Sequence, residues 1–163
     1  MKKIPLTKGK FAIVDAKNFE WLNQWKWSAQ QIGVNYYAVR CVNRKNEKRI
    51  FIFMHRLIFN LQIGDGIKID HINGESFDNR ECNLRICSQK QNVINRHKVR
   101  GISQYKGVTR HKRKWRAQIK LDGKTKHLGL FNNELDAGAA YDLAALKYFG
   151  EFSFTNFEKA LVA

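Results

Sequence analysis

The sequence predicts an α+β protein. A small mixed N-terminal region runs into a strand, loop, strand and helix, and a three-stranded antiparallel sheet packed on one helix follows. Three observations predict this. Trp115 to Leu121 alternates strictly, with Trp115, Ala117, Ile119 and Leu121 on one face and Arg116, Gln118 and Lys120 on the other, the period of a half-buried strand. Ile67-Lys68-Ile69 alternates into Asp70-His71, Asn73-Gly74 is a tight-turn pair, and Leu84-Arg85-Ile86 reads as the returning strand. Finally, 163 residues with 44% apolar content allow one domain or two small ones.

Residues 1 to about 60 form the mixed region. Phe11 to Val14 reads as a strand, and Asp15 to Trp25 as a short helix with Phe19, Leu22 and Trp25 near helical spacing. Trp27 to Ala29, Tyr36 to Val42 and Arg49 to Met54 follow as strands, the last two turning around Asn43 to Glu47. Trp21, Trp25 and Trp27 read as packing residues. His55-Arg56 opens a helix leading to the Gly64-Asp65-Gly66 loop, with His55 read as packed or phosphate-contacting rather than as a second catalytic group.

In the stretch 61–97, Ser88 with Gln91 three residues on marks a helix start at about Gln89, which carries Asn92 in its first turn. A basic linker covers 98–104. Residues 105–158 hold the sheet and its helix: Lys106 to Arg110 is a strand, Asp122-Gly123 a hairpin turn, and Lys124 to Phe131 the return, which puts Thr125 and His127 on the outer face. Asn133 caps a helix from Glu134 to about Phe149, ended by Gly150, with Ala137, Ala140, Tyr141, Ala144 and Tyr148 along one stripe.

The net charge of +16 and pI near 10.0 point to a polyanionic partner, nucleic acid ahead of membrane, because no basic helix carries a continuous apolar face. Between Lys98 and Lys126 the cations face Asp122 alone. Cys41, Cys82 and Cys87 form no CxxC pair and are odd in number, which argues against a disulfide framework or a zinc knuckle and for a cytoplasmic setting. The longest apolar run, Ile50 to Phe59, is interrupted by His55 and Arg56, so no membrane span or signal peptide is expected.

One grouping reads as a reaction centre: Asp70-His71-Ile72-Asn73-Gly74, Asp78-Asn79-Arg80, Asn83-Leu84-Arg85 and Gln91-Asn92. Singly, each is an ordinary turn or cap residue. The strand, loop, strand and helix order can bring Asp70 and Asn92 to one point with His71 beside them. A carboxylate and an amide oxygen make a sparse, hard site suited to Mg²⁺ or Mn²⁺ and ill-suited to structural zinc.

In this order and spacing the motifs resemble the HNH endonucleases of phages and mobile introns, whose fold is the ββα-metal finger. The resemblance implies that His71 is the general base activating water, that Asp70 and Asn92 hold the divalent metal, and that Asn83 fixes the loop and orients the histidine. Asparagine stands where the family name expects its last histidine. Arg85 and Arg96 are read as DNA contacts.

The second half resembles another family. Tyr105-Lys106-Gly107-Val108, Trp115-Arg116-Ala117, Leu128-Gly129-Leu130-Phe131, Ala139-Ala140-Tyr141-Asp142 and Asn156-Phe157 are similar to the plant ethylene-response-factor (APETALA-two) DNA-binding domain. The resemblance implies DNA contacts at Lys106, Thr109, Arg110, Gln118, Lys120, Thr125 and His127, to which the cations Arg113 and Arg116 are added. The loop Lys112-Arg113-Lys114 is shorter than in the plant proteins and several arginines are replaced, so the plant target sequence is not carried over.

The expected function is a metal-dependent, homing-type endonuclease of a phage or mobile element that nicks double-stranded DNA. It is expected to act as a monomer without a small-molecule cofactor. The alternative is a DNA-binding regulator whose finger is catalytically inactive.

Overall fold

The computed structural model describes residues 1–42, 49–95 and 102–157. The turn expected at Asn43 to Glu47, Arg96 and residues 98–101 of the basic linker lie outside the described residues. The chain forms a mixed α+β structure of two units, Met1–Gln89 and Lys90–Ala163. Among the described residues its sheets are small and antiparallel, and no helix is long and apolar enough to cross a membrane.

The first unit begins with β1 (Lys2–Pro5) and β2 (Phe11–Val14), an antiparallel pair. Pro5, which lacks a ladder N–H, sits at a strand end of this two-stranded sheet. β1 is an element that the alternation did not announce. α1 (Ala16–Asn23) follows; Asp15 stands at its N-cap, yet the carboxylate accepts the backbone N–H of Glu81 at 2.8 Å. β3 (Ser28–Ile32), β4 (Asn35–Val42) and β5 (Ile50–Phe53) form a second antiparallel sheet, and α2 (Met54–Ile58) leaves it.

The core of this unit joins Ile4, Leu6, Ala12, Val14, Leu22, Trp27, Ala29, Ala38 and Met54. Removing each larger aliphatic side chain from water contributes roughly 1.5–3 kcal/mol. Trp27 is buried and donates from its indole to the Leu22 carbonyl at 2.8 Å, while Trp25 packs edge-on against it and Trp21 edge-on against Trp25. Arg56 fixes the approach to the next hairpin: its guanidinium donates to the Ile67 carbonyl and to Asp65 Oδ1, both at 2.6 Å. That hairpin is β6 (Lys68–His71) and β7 (Leu84–Cys87). α3 (Gln89–Ile94) runs across the division between the units.

In the second unit β8 (Val108–His111), β9 (Lys114–Leu121) and β10 (Lys124–Phe131) form a sheet of order β10-β9-β8, backed by α4 (Glu134–Phe149). The inward residues Val108, Ala117 and Ile119 meet Ala137, Tyr141, Ala144 and Ala145. Tyr148, read as part of that stripe, is 39% exposed and accepts a hydrogen bond from Lys126 at 2.7 Å, while Ala145 is fully buried. Asn133 caps α4, its Oδ1 accepting the Asp136 N–H at 2.7 Å, a bond worth about 1 kcal/mol. Gly107 has φ +79°, and a Cβ there would stand 1.9 Å from the Tyr141 ring; no other residue fits.

Asp142, fully buried on α4, holds the end of this unit. Its carboxylate accepts the N–H groups of Asn156 and Phe157 at 2.8 and 2.9 Å and the Asn156 side-chain amide at 2.9 Å. Asn156 in turn bonds the backbone N–H and carbonyl of Lys106. Asp142→Ala strands these part-buried donors and should destabilise the second unit by roughly 2–4 kcal/mol. Thermal unfolding followed by circular dichroism checks this; an unchanged midpoint would contradict it.

Candidate functional site

β6 and β7 pair in the register Ile69↔Ile86, Asp70↔Arg85 and His71↔Leu84. The loop between them has little apolar content, so polar bonds must hold its shape. Asn83, buried, spans it: its Oδ1 accepts the Asn73 N–H at 3.0 Å, its Nδ2 donates to the Asp78 carbonyl at 2.8 Å, and its carbonyl accepts the Ile72 N–H. Asp78 is a second hub. Arg80 donates to both of its oxygens, at 2.8 and 2.6 Å, and Asn73 Nδ2 donates at 3.0 Å. The Arg80 guanidinium holds the Asp78 carboxyl below the usual carboxylate range. Gly74 closes the turn after His71 with φ +77°.

The loop is also stitched to the N-terminal strands. Ile13 donates to the Phe77 carbonyl and accepts the Asn79 N–H, both at 2.8 Å. Glu81 receives Lys17 at 2.7 Å and the Asn18 amide at 2.8 Å.

His71 ends β6, 7% exposed. Its ring centroid lies 5.1 Å from that of His55 and 6.3 Å from that of Tyr37, and Phe53 closes on His55 at 5.4 Å. Both imidazoles are held neutral. Burial, then His71 and Arg56, push His55 down to about 3. Burial also places His71 below the ordinary histidine range, while the neighbouring Asn79 side chain and the charges of Asp70 and Asp78 pull it up. A neutral imidazole beside carboxylates is a proton acceptor.

Asp70, also buried, receives Arg85 Nε at 3.0 Å and Nη2 at 2.7 Å, both on Oδ2. Arg85, read as a DNA contact, is thus turned inward. In donor chemistry Asp70 fits a hard divalent cation, which needs only one or two carboxylates beside water and phosphate. Among the described residues no three His, Cys, Asp or Glu side chains converge on a metal position. Asn92 stands in α3 beyond the division between the units, so it is not among the residues that the first unit brings together.

On the sheet of the second unit the register sets Thr109 against Arg116, Gln118 against His127 and Lys120 against Thr125. These share the face opposite α4. Arg116 also meets the His111 ring at 2.5 Å. Arg113 is exposed in the β8–β9 turn. Two predicted contacts are placed otherwise. Arg110 pairs with Trp115 and lies over its ring at 4.8 Å, on the α4 side of the sheet. Lys106 Nζ donates to the Ile94 carbonyl at 2.5 Å and lies over the Phe154 ring, and burial pushes its pKa down to about 8.

Sequence reasoning assigned no role to Asn79 and none to Asp78. The Asp-Asn-Arg spacing was the available signal: a carboxylate two residues before an arginine, in a turn, favours a local ion pair. His55 joins His71 only through the fold.

No family model matches the chain. It is 29% identical over 150 residues, 91% of this chain and 76% of the relative, to an uncharacterized HNH endonuclease of Acanthamoeba polyphaga mimivirus. Over 63 residues, 36% of this chain, it is 48% identical to an AP2-like ethylene-responsive transcription factor of Arabidopsis thaliana, of which it spans 11%. Over 65 residues it is 45% identical to APETALA2-like protein 2 of Oryza sativa, covering 38% of this chain and 15% of that protein. The chain is therefore homologous to an HNH endonuclease over most of its length and to AP2/ERF domain proteins over about a third.

The neutral pair His55 and His71 predicts a pH dependence. The folded-state value for His55 lies below its unfolded value of 6.5. Between about 3 and 6.5 the unfolded chain therefore binds a proton that the folded chain does not. Stability is complete above this window and falls as pH drops through it, by at most about 1.4 kcal/mol per pH unit for this group. Denaturant unfolding from pH 7 to pH 4 should show this loss, and His55→Phe should reduce the proton uptake on unfolding by about one. The same uptake in both proteins would contradict the burial of a neutral His55.

Proposed function

We propose that the chain is a metal-dependent endonuclease that cuts one strand of duplex DNA per bound monomer, as homing-type enzymes of phages and mobile elements do. His71 is the general base. It takes a proton from water, whose oxygen attacks the phosphorus, and the bond from phosphorus to the 3′ oxygen breaks. Asp70 would hold Mg²⁺ or Mn²⁺, with Asn92 as the second ligand that the HNH resemblance implies. Bound there, the ion would stabilise charge on the phosphoryl oxygens and on the departing 3′ oxygen. Asn83 acts through His71, keeping the loop closed and the imidazole in place.

What supports this reading most is His71 itself: a buried, neutral imidazole beside Asp70, at the root of a loop that the Asn83 side chain spans with two hydrogen bonds. The homology to an HNH endonuclease points to nuclease activity, and the likeness to AP2/ERF domain proteins points to DNA binding. The face carrying Thr109, Arg116, Gln118, Lys120, Thr125 and His127 binds duplex DNA, with Arg113 of the β8–β9 turn adding charge. Cations on such a face meet phosphates, and the polar side chains between them meet base edges.

A second reading is favoured by one observation. Arg85 already neutralises Asp70, as it would in a regulator whose finger is inactive. Cleavage separates the two. Purified protein should nick duplex DNA with Mg²⁺ or Mn²⁺ and stop when the ion is chelated. His71→Ala should lower the rate by about 10² to 10⁴ with duplex affinity unchanged. Equal cutting by that variant would remove His71 from its role, and absence of metal-dependent nicking by the wild type would leave the regulator.

The binding face carries its own prediction. Replacing Arg113 and Lys120 by Ala should reduce the slope of log affinity against log salt by about 1.8, because roughly 0.9 of a counterion is released per phosphate contact. An unchanged slope would show that this face does not meet the phosphates.

A further inference from the structure

We infer that Arg85 is a positioning residue for the cation ligand Asp70 and not a DNA contact; this rests on the endonuclease reading above. The β6–β7 register sets the two residues directly across the hairpin. The guanidinium gives two of its N–H groups, Nε and Nη2, to one oxygen, Oδ2. The two side chains are only 11% and 7% exposed.

Three consequences follow from this geometry. A phosphate contact needs its cation at the surface, and drawing Arg85 out would separate the buried Asp70 carboxylate from this guanidinium. Two N–H groups converging on Oδ2 fix the position of that oxygen more tightly than a single ammonium donor would. An ion ligated by a sparse donor set depends strongly on the orientation of each donor, and such partners of ligating carboxylates typically change metal affinity by 10–100-fold when lost. Asp70 is followed directly by His71, so the same bond also holds the end of β6 from which the imidazole projects.

The test measures Mn²⁺ binding to the full chain from loss of the free aquo-ion signal in electron paramagnetic resonance. Wild type, Arg85→Gln, Arg85→Lys and Asp70→Asn are compared, together with metal-free duplex affinity across salt concentrations. Arg85→Lys keeps the buried charge, which protects the fold if the Gln variant loses it; circular dichroism reports this. The expected result is a 10–100-fold weaker Mn²⁺ affinity in Arg85→Gln and a smaller loss in Arg85→Lys, with an unchanged salt slope for DNA. Unchanged or tighter Mn²⁺ binding in a folded variant would overturn the inference, as would a salt slope reduced by about one contact. If wild type cuts DNA while the Arg85 variants bind Mn²⁺ as wild type does, the role of Arg85 alone fails. If wild type and Asp70→Asn bind Mn²⁺ equally, the cation site at Asp70 fails and takes this inference with it.

Discussion

The loop between β6 and β7 must hold a fixed shape without a hydrophobic core of its own, and the Asn83 side chain meets most of that demand. One amide joins the Asn73 N–H to the Asp78 carbonyl across the loop. Asp78 then gathers Arg80 and Asn73. A buried polar network of this kind is worth having only when its members are satisfied together. His71, at the root of the loop, inherits its position from that closure, and Asn79 is carried to its side by the bond to Ile13.

Aromatic packing completes what the polar bonds begin. Tyr37, Phe53 and His55 come from β4, β5 and α2 and close around His71. Their rings exclude water, and the loss of hydration is what keeps both imidazoles uncharged. The N-terminal strands are therefore part of the site's chemistry, since they set the protonation state of the group at its centre. In the second unit the constraint is different. There a strict alternation, a glycine pressed against Tyr141 and the Asp142 to Asn156 bonds leave one face of a sheet free of its own core. Such a face carries cations at no cost to packing.

Much of this was legible in the residues. Alternation over Trp115 to Leu121, the turn at Asp122-Gly123 and the cap at Asn133 each have a local cause, and the structure places β9, β10 and α4 there. The hairpin around Asp70 was legible for the same reason. What stayed hidden depended on register and on long-range packing. β1 carries no alternation because Lys2, Lys3 and Pro5 flank a single buried Ile4. Arg85 reads as one more cation until the strand pairing sets it opposite Asp70. Lys106 reads as a surface charge until the Ile94 carbonyl takes it, and Arg110, though exposed, lies over the Trp115 ring. His55 and His71 meet only after four strands have folded, a juxtaposition no local pattern announces.

The central claim is that Asp70 and the neutral His71 share one cation-dependent centre. It is tested most directly by paramagnetic broadening in a ¹H–¹⁵N spectrum of the full chain titrated with substoichiometric Mn²⁺. The account predicts loss of the His71 ring signals and the Asn83 side-chain amide at the lowest Mn²⁺ additions. Uniform broadening, or loss confined to the sheet of the second unit with His71 intact, would contradict it.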